Sequence, residues 1–285
     1  MSMEMRADLA RWRLMGQPVA RISVAAARGS TPREAGTFML VTATEQSGTV
    51  GGGDLEWNAI HHARALLATG GAAARDLRID LGGRSGQCCG GEVRLFLDVP
   101  DGRGLDAIMA ELECQRREAP LLLLFGAGHV GRALAHVLAP LPLRLAWCDS
   151  RPHEFGPVIP PGVAVHDDGD WQRLVTAAPA GSGALVLTRS HALDSLIVAS
   201  ILERGDFRYV GLIGSHTKRR RFEAAFRALG LPEDRISAMV CPIGGEGVRD
   251  KRPAVIAALV AAEIVTRFLH AAREDGDADG DERRL

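Results

Sequence analysis

The stretch Leu121-Leu-Leu-Leu-Phe125-Gly126-Ala-Gly-His-Val-Gly131 decides the fold of the second half of this 285-residue chain. Residues 121–125 form an apolar run without a polar face, which predicts a strand buried on both faces of a parallel sheet. Gly126, Gly128 and Gly131 follow in the spacing Gly-x-Gly-x-x-Gly, and a helical pattern begins among them. Such glycines permit a tight turn and the close approach of a phosphate, which the start of a helix then stabilises.

Asp149 comes directly after the next predicted strand, residues 143–148. An acid at this position is where a dinucleotide-binding fold accepts hydrogen bonds from ribose hydroxyls. The strand, the glycine turn, the helix and the acid together indicate a nucleotide-binding fold. The alternative is that the fold persists while the turn binds another phosphate or no ligand, because a fold does not determine its ligand.

The rest of the second half alternates strand and helix patterns, which predicts a doubly wound α/β domain with a Rossmann-like parallel sheet. The predicted strands are residues 163–166, 184–187 and 209–213, and the predicted helices are residues 171–178, 193–204, 217–230 and 253 to about 270. Residues 271–285 are charged and almost without apolar side chains, so a disordered acidic tail is expected there.

The first half is less regular and predicts a smaller α+β domain. Its predicted strands are residues 22–27, 37–41, 77–81 and 93–99, and its predicted helices are residues 1–16, 55–67 and 105–117. We therefore expect an N-terminal domain over residues 1–117 and a Rossmann-like domain over residues 118–270.

Composition excludes several classes of partner and location. The formal net charge of −1 gives no electrostatic reason to expect nucleic acid or an anionic membrane as a partner. Residues 1–16 carry charges throughout and so do not resemble a signal peptide, and the apolar run at residues 253–262 is about half the length of a bilayer span. A cytoplasmic protein is expected, and its five cysteines are expected to be reduced thiols.

The most unusual stretch is Gly86-Gln-Cys-Cys-Gly-Gly91. Thiolates are soft ligands suited to molybdenum or to carrying sulfur, and flanking glycines would let a bulky cofactor approach Cys88 and Cys89. Adjacent thiols do not suit structural zinc, which favours Cys-x-x-Cys pairs. The alternative is that one or both are buried small apolar residues.

Several further motifs stand in a fixed order along the chain. They are Gly29-Ser-Thr-Pro-Arg33, Gly36-Thr-Phe-Met39, Gly48-Thr-Val-Gly-Gly-Gly-Asp-Leu-Glu56, Cys89-Gly-Gly91, Thr188-Arg-Ser-His-Ala-Leu-Asp194, Gly211-Leu-Ile-Gly-Ser-His-Thr-Lys218 and Pro242-Ile-Gly244. With the glycine turn, this set resembles the XdhC/CoxI family over roughly residues 20–268. The chain departs from the family pattern at Arg189, where many members carry His, and in residues 245–250.

The resemblance implies a chaperone that binds molybdenum cofactor (molybdopterin), without turnover of its own. It would protect the cofactor, support its sulfuration through a cysteine desulfurase, and deliver it to apo xanthine dehydrogenase or a related molybdoenzyme. Other implied partners are the proteins of molybdenum cofactor biosynthesis. By match to the Cys-Gly-Gly motif, Cys89 is the first candidate for contact with the cofactor and its molybdenum, Cys88 is the second, and Gly90 and Gly91 border them.

Two further groups of residues are candidates for contact with a phosphate. Gly214 and Ser215 precede a predicted helix that carries Lys218, which suits either an anion site or plain helix capping, and the resemblance favours phosphate contacts. Arg28 and Arg33 bracket a Gly-Ser-Thr-Pro loop, where they would hold a phosphate or form surface salt bridges.

Five other residues have simple structural interpretations in the sequence. His191 and Asp194 would share one face of a helix start, as metal ligands or an acid–base pair do, but a helix cap beside a surface histidine is the simpler reading. Glu56 is explained by the helix dipole alone, and Trp57 and His61 are interpreted as packing residues.

We expect the cofactor in a cleft between the two domains, with its phosphate at residues 126–131 and Ser215 and its metal end at Cys89. The first rival is an NAD(P)-dependent oxidoreductase of unknown substrate, although Ile213, four residues after the sole tyrosine Tyr209, rules out a Tyr-x-x-x-Lys pair. The second rival is a nucleotide-sensing regulatory module. The oligomeric state stays open, with a homodimer as one alternative.

Overall fold

The computed structural model describes residues 2–70, 74–80, 91–245 and 250–270. The chain divides into two compact units, residues 1–115 and 116–285. Among the described residues, no helix combines the length and the apolar character that crossing a membrane requires.

The first unit contains a five-stranded antiparallel sheet in the order β3-β2-β1-β5-β4. Its elements are α1 (Ser2–Leu14), β1 (Ala20–Arg28), β2 (Phe38–Val41), β3 (Gln46–Gly48), α2 (Gly53–Ala68), β4 (Arg75–Asp80), β5 (Glu92–Asp98) and α3 (Gly102–Glu118). Side chains alternate between the two faces of the strands, so Met39 and Val41 pack with α2 whereas Phe38 and Leu40 pack with α1 and α3. Helices thus cover both faces of this sheet.

The second unit contains a five-stranded parallel sheet in the order β10-β9-β6-β7-β8. Its elements are β6 (Leu121–Phe125), α4 (His129–Leu138), β7 (Arg144–Cys148), β8 (Ala164–His166), α5 (Trp171–Ala177), β9 (Gly183–Val186), α6 (His191–Arg204), β10 (Tyr209–Leu212), α7 (His216–Ala228), α8 (Glu233–Ala238) and α9 (Pro253–Glu263). A 3-10 turn, Pro152–Phe155, follows β7, and a π-helical segment, Ile264–Leu269, continues α9.

The two faces of the parallel sheet carry different helices. Helices α4 and α9 pack on one face with Leu122 and Leu124, and α5, α6, α7 and α8 pack on the other face with Leu123 and Phe125. The strand order reverses between β6 and β9, because β7 and β8 lie on one side of β6 while β9 and β10 lie on the other. In open α/β sheets this switch point, at the carboxyl ends of the strands, is where ligands bind.

The predicted fold class is confirmed, with a Rossmann-like parallel sheet in the second half and an α+β first half. The 3-10 turn, β3 and α8 were absent from the sequence-based prediction because they are only three to six residues long, too short to show a periodic pattern. The predicted final helix ends its α-helical course at Glu263 and continues as π-helix. The predicted tail, residues 271–285, lies outside the described residues.

Candidate functional site

The glycine turn after β6 uses its three glycines differently. A Cβ atom on Gly126, whose φ is +115°, would lie 2.3 Å from the carbonyl oxygen of Leu187. A Cβ on Gly131 would lie 2.1 Å from the carbonyl oxygen of Gly126. A Cβ on Gly128 would meet no heavy atom within 4 Å in the described part of the chain. Gly126 and Gly131 are therefore required by close packing of the turn, and Gly128 leaves open space at the start of α4.

Asp149 is held inside the protein by four hydrogen bonds. Its Oδ2 atom accepts the backbone N–H of Ala127 at 2.7 Å and Nη2 of Arg151 at 2.8 Å. Its Oδ1 atom accepts the backbone N–H of Arg151 at 3.0 Å and Nε of Arg151 at 2.9 Å. Burial by itself raises the pKa of Asp149, but the bonds from Arg151 and Ala127 outweigh it and hold that pKa below its usual value.

These contacts assign Asp149 a task that differs from the predicted one. The sequence placed Asp149 where it would accept ribose hydroxyls, but in the structure its two oxygens already accept four donors. A carboxylate has about four lone-pair positions, so the side chain is saturated. Asp149 thus ties the glycine turn to Arg151, and Arg151 continues the network with a 3.0 Å ion pair to Glu154.

A cavity of about 170 Å³ lies at the carboxyl ends of β6, β7 and β9, at the switch point of the sheet. Its apolar lining consists of Phe125, Cys148, Trp171, Leu193 and Ile197, and its polar lining comes from Asp149, Ser150, Arg151, Gly169, Thr188, Arg189 and Ser190. Burial, followed by the charges of Asp168 and Asp149, raises the pKa of the Cys148 thiol to about 12. The thiol therefore stays protonated and contributes an apolar surface to the cavity.

The loop between β9 and α6 is fixed by a buried acid. Asp194 is 1 % exposed, and its Oδ1 atom accepts the N–H of Thr188 at 3.0 Å and the hydroxyl of Thr188 at 2.7 Å. Burial raises the pKa of Asp194. Ser190 caps α6 by accepting the N–H of Leu193, and the exposed His191 lies 3.8 Å from Oδ2 of Asp194. This is the arrangement of a helix cap beside a surface histidine.

Ser215 caps α7, because its side chain accepts the N–H of Lys218, as the helix-capping alternative requires. Gly214 is packed closely, and a Cβ there would lie 2.8 Å from Sγ of the buried Cys241. The geometry is that of a capped helix start at the carboxyl end of β10. The phosphate contacts suggested for Gly214, Ser215 and Lys218 stay a prediction.

In the first unit, three motifs that are distant in sequence meet. A Cβ on Gly91 would lie 2.5 Å from the carbonyl oxygen of Ser30, and a Cβ on Gly51 would lie 2.5 Å from Cγ of Pro32. The loop of residues 28–33 therefore contacts both glycine-rich stretches. Arg28 and Arg33, the arginines that bracket the loop, are exposed.

Glu56 stabilises the glycine-rich turn that precedes it. Its Oε2 atom accepts the hydroxyl of Thr49, the N–H of Val50 at 3.0 Å and the N–H of Gly52 at 3.3 Å. The sequence interpretation of Glu56, a favourable charge at a helix start, missed these bonds because they depend on how residues 49–52 fold back over α2.

The interpretation of Trp57 and His61 as packing residues was wrong. Trp57 is 66 % exposed, and its ring stacks on that of His61 with 5.8 Å between centroids. The buried face of α2 consists of Leu55, Ala59, Ile60, Ala63 and Leu66. Trp57 lies two positions after Leu55, which on a helix is close to the opposite face.

Cys88, Cys89 and Gly90 lie outside the described residues, so the predicted thiol contacts stay predictions. Of the cysteines in the described ranges, Cys114 is exposed and Cys148 and Cys241 are buried. Within those same ranges no cluster of three or more His, Cys, Asp or Glu side chains suits a metal ion.

Sequence reasoning missed Arg151 and Trp171 as residues of the site. Arg151 stands two positions after the strand-ending acid, and that proximity was the available signal for the ion pair. Trp171 begins α5 after β8, and nothing local indicated that it would line a cavity at the ends of β7 and β9.

Two family profiles match the chain. The family described as the XdhC Rossmann domain matches residues 122–264, and the XdhC and CoxI family matches residues 12–80. The protein YqeB of Escherichia coli strain K12 is 27 % identical over 251 residues, which are 87 % of this chain. The chain aligns with only 43 % of the length of that relative.

A crystal structure described as a xanthine dehydrogenase from Bacillus halodurans is similar in fold. It superposes with a TM-score of 0.75 at 17 % sequence identity, covering 94 % of this chain and 96 % of the other. The match of the XdhC Rossmann domain covers half of the chain, in the unit that contains the parallel sheet, the glycine turn and the cavity. The chain belongs to the XdhC and CoxI family.

Proposed function

We propose that this chain is an accessory protein in the maturation of xanthine dehydrogenase or a related molybdoenzyme. Membership of the XdhC and CoxI family supports this role, as does the similarity in fold to the Bacillus halodurans structure. In the finer form of the proposal, the chain binds molybdenum cofactor and protects it. It then supports sulfuration by a cysteine desulfurase and delivers the cofactor to the apo-enzyme.

The observation that carries the proposal is the meeting of three motifs in the first unit. Gly91 and Gly51 both lie against the loop of residues 28–33, whose Arg28 and Arg33 are exposed. Guanidinium groups suit a phosphate, and molybdopterin carries one. Cys89 and Cys88 stand two and three positions before Gly91 in the sequence, and a cysteine thiolate is a ligand of the kind that suits molybdenum.

Each group would have a separate task. Arg28 and Arg33 would bind the phosphate of the cofactor, and Gly91 would allow the chain to pass close to the loop without a side chain in the way. Cys89 would be the thiol on the molybdenum side, with Cys88 as the second candidate. The bound cofactor would supply the metal–sulfur chemistry that the target enzyme needs.

The test is retention of cofactor by the purified full-length protein. The protein is incubated with molybdenum cofactor released from a molybdoenzyme, separated by gel filtration, and assayed for molybdenum by mass spectrometry and for pterin by fluorescence after oxidation. Cys89→Ser should lose retained molybdenum and Arg33→Gln should lose retained pterin. Cys114→Ser, which changes an exposed thiol elsewhere, is the matched control and should behave like wild type.

The rival, an NAD(P)-dependent oxidoreductase, finds support in the glycine turn at residues 126–131 and makes the opposite prediction. It requires micromolar binding of NAD or NADP and no retention of pterin, and that result would overturn the proposal. The nucleotide-sensing module makes the same binding prediction without any hydride transfer to a substrate.

A further inference from the structure

We propose that the cavity at the carboxyl ends of β6, β7 and β9 binds a nucleotide, with its base against the apolar lining and without recognition of the ribose hydroxyls by Asp149. This inference concerns the second unit alone and does not rest on the binding of molybdenum cofactor by residues of the first. A protein that fails to retain the pterin can still bind a nucleotide here, so the two proposals fail independently.

The lining of the cavity is divided in the way that a nucleoside requires. Trp171, Leu193 and Ile197 provide an apolar surface on which a flat heteroaromatic base would pack. Thr188 and Ser190, on the loop after β9, belong to the polar part of the lining. Ligand sites are typically concave and apolar with a few polar groups that orient the ligand.

The neighbouring glycine turn is shaped for the phosphate of the same ligand. Phe125 and Asp149 line the cavity, and Phe125 directly precedes the turn while Asp149 accepts the N–H of Ala127 within it. Gly128 is the glycine at which added atoms would meet open space. A phosphate attached to a nucleoside in the cavity would therefore approach the chain at Gly128.

Two of the acids near the cavity form ion pairs with arginines, which lowers their repulsion of an anionic ligand. Asp149 pairs with Arg151 at 2.8 Å, and Asp168 pairs with Arg173 at 2.6 Å. Arg189, which lines the cavity, is exposed and available to a phosphate.

The saturation of Asp149 makes this site differ from the common dinucleotide site. In that site the acid after the second strand accepts the ribose hydroxyl directly. Here both oxygens are occupied by Ala127 and Arg151, so a ribose would gain a bond to Asp149 only by displacing an existing one. The ribose and 2′-deoxyribose forms of the ligand should consequently bind about equally well.

The experiment is calorimetric titration of the full-length protein with ADP, GDP and CDP, with ribose 5-phosphate as a probe that lacks the base. We expect at least one nucleotide to bind with a Kd below about 1 mM and ribose 5-phosphate to bind at least about tenfold more weakly. The 2′-deoxy form of the binding nucleotide should stay within about threefold of the ribose form.

A matched pair of variants tests the location. Leu193→Trp fills the cavity and should weaken nucleotide binding by about tenfold or more. Leu196→Trp places the same side chain on α6 at a position that is 59 % exposed and outside the cavity lining, and should leave binding unchanged. Should Leu193→Trp fail to fold, Trp171→Ala removes the ring on which the base would pack and should weaken nucleotide binding by about tenfold or more.

Four results would each overturn the proposal. They are the absence of nucleotide binding to wild type, equal binding of ribose 5-phosphate, unchanged affinity in Leu193→Trp, and unchanged affinity in Trp171→Ala. A loss of affinity of tenfold or more for the 2′-deoxy form would show that the site recognises the ribose hydroxyl, contrary to the inference from the saturation of Asp149.

Discussion

The glycine turn after β6 yields a prediction that follows directly from its geometry. In Gly131→Ala, the new Cβ would lie 2.1 Å from the carbonyl oxygen of Gly126 and 3.0 Å from its carbonyl carbon. The obstacle is backbone, so the turn itself must move. The same carbonyl oxygen accepts the indole N–H of the buried Trp147 at 3.0 Å, and displacing it weakens that bond.

The loss of stability in Gly131→Ala is the sum of two effects, the overpacking of the turn and the weakened hydrogen bond of Trp147. Overpacking in a well-packed region costs about 1–3 kcal/mol. Leaving a buried donor such as Nε1 of Trp147 without its acceptor costs about another 1–3 kcal/mol. We expect Gly131→Ala to lower the free energy of unfolding by about 4 kcal/mol. With an m-value of about 2 kcal/mol per molar urea, the unfolding midpoint followed by circular dichroism falls by about 2 M.

Gly128→Ala is the control within the same turn. Its φ of −65° is open to any residue, and an added Cβ there meets open space. Loss of glycine at a helix cap costs up to about 1 kcal/mol, and the lower chain entropy of alanine in the unfolded state recovers about 0.4–1 kcal/mol. Its midpoint should stay near that of wild type. Equal midpoints for the two alanine variants would refute the close-packing argument.

Three further predictions concern buried polar groups. Burial raises the pKa of Asp194 above its usual 3.8, so the folded state binds the proton more tightly and the free energy of unfolding falls as the pH rises from 3.8 through the folded pKa. Asp194→Asn should remove this pH dependence, measured by urea titrations at several pH values, and an unchanged dependence would contradict the prediction. Glu56→Ala should lower the free energy of unfolding by about 2 kcal/mol, because three donors lose their acceptor, and Glu56→Gln should lower it less. Thermal unfolding measures both variants, and an unchanged melting temperature in the alanine variant would argue against this role of Glu56. Burial, together with the hydrogen bond to Glu263, raises the pKa of Tyr209, the sole tyrosine. No tyrosinate absorbance should therefore appear at about pH 11 while the protein stays folded, and ionisation at that pH would disprove the prediction.

Much of the fold could be predicted from the sequence because the relevant signals are local. The apolar run of β6, the glycine turn and the acid after β7 stand close together in the chain and indicate a Rossmann-like unit. The cap at Ser215 is equally local, since its hydroxyl reaches only as far as the N–H of Lys218. Short elements such as β3 escaped prediction because three residues carry no periodicity.

Two features of the candidate site could not be predicted without the tertiary structure. They are hydrogen bonds between residues that are distant in the chain, and the exposure of individual side chains. Sequence spacing placed Asp149 near a ligand, but only the folded chain brings Ala127 and Arg151 onto both its oxygens. An aromatic residue on a helix is usually buried, and Trp57 is exposed because the core-facing side of α2 is already filled.

The sequence by itself determined most of the strands and helices, the position of the phosphate-type turn and the family resemblance, because each follows from short stretches of the chain. Only the tertiary structure decided that residues 28–33 meet Gly51 and Gly91, and that a cavity opens where β6, β7 and β9 end. The physical reason is that packing and hydrogen bonding act between atoms that are near in space, and in each unit the pairing of strands brings distant segments of the chain together.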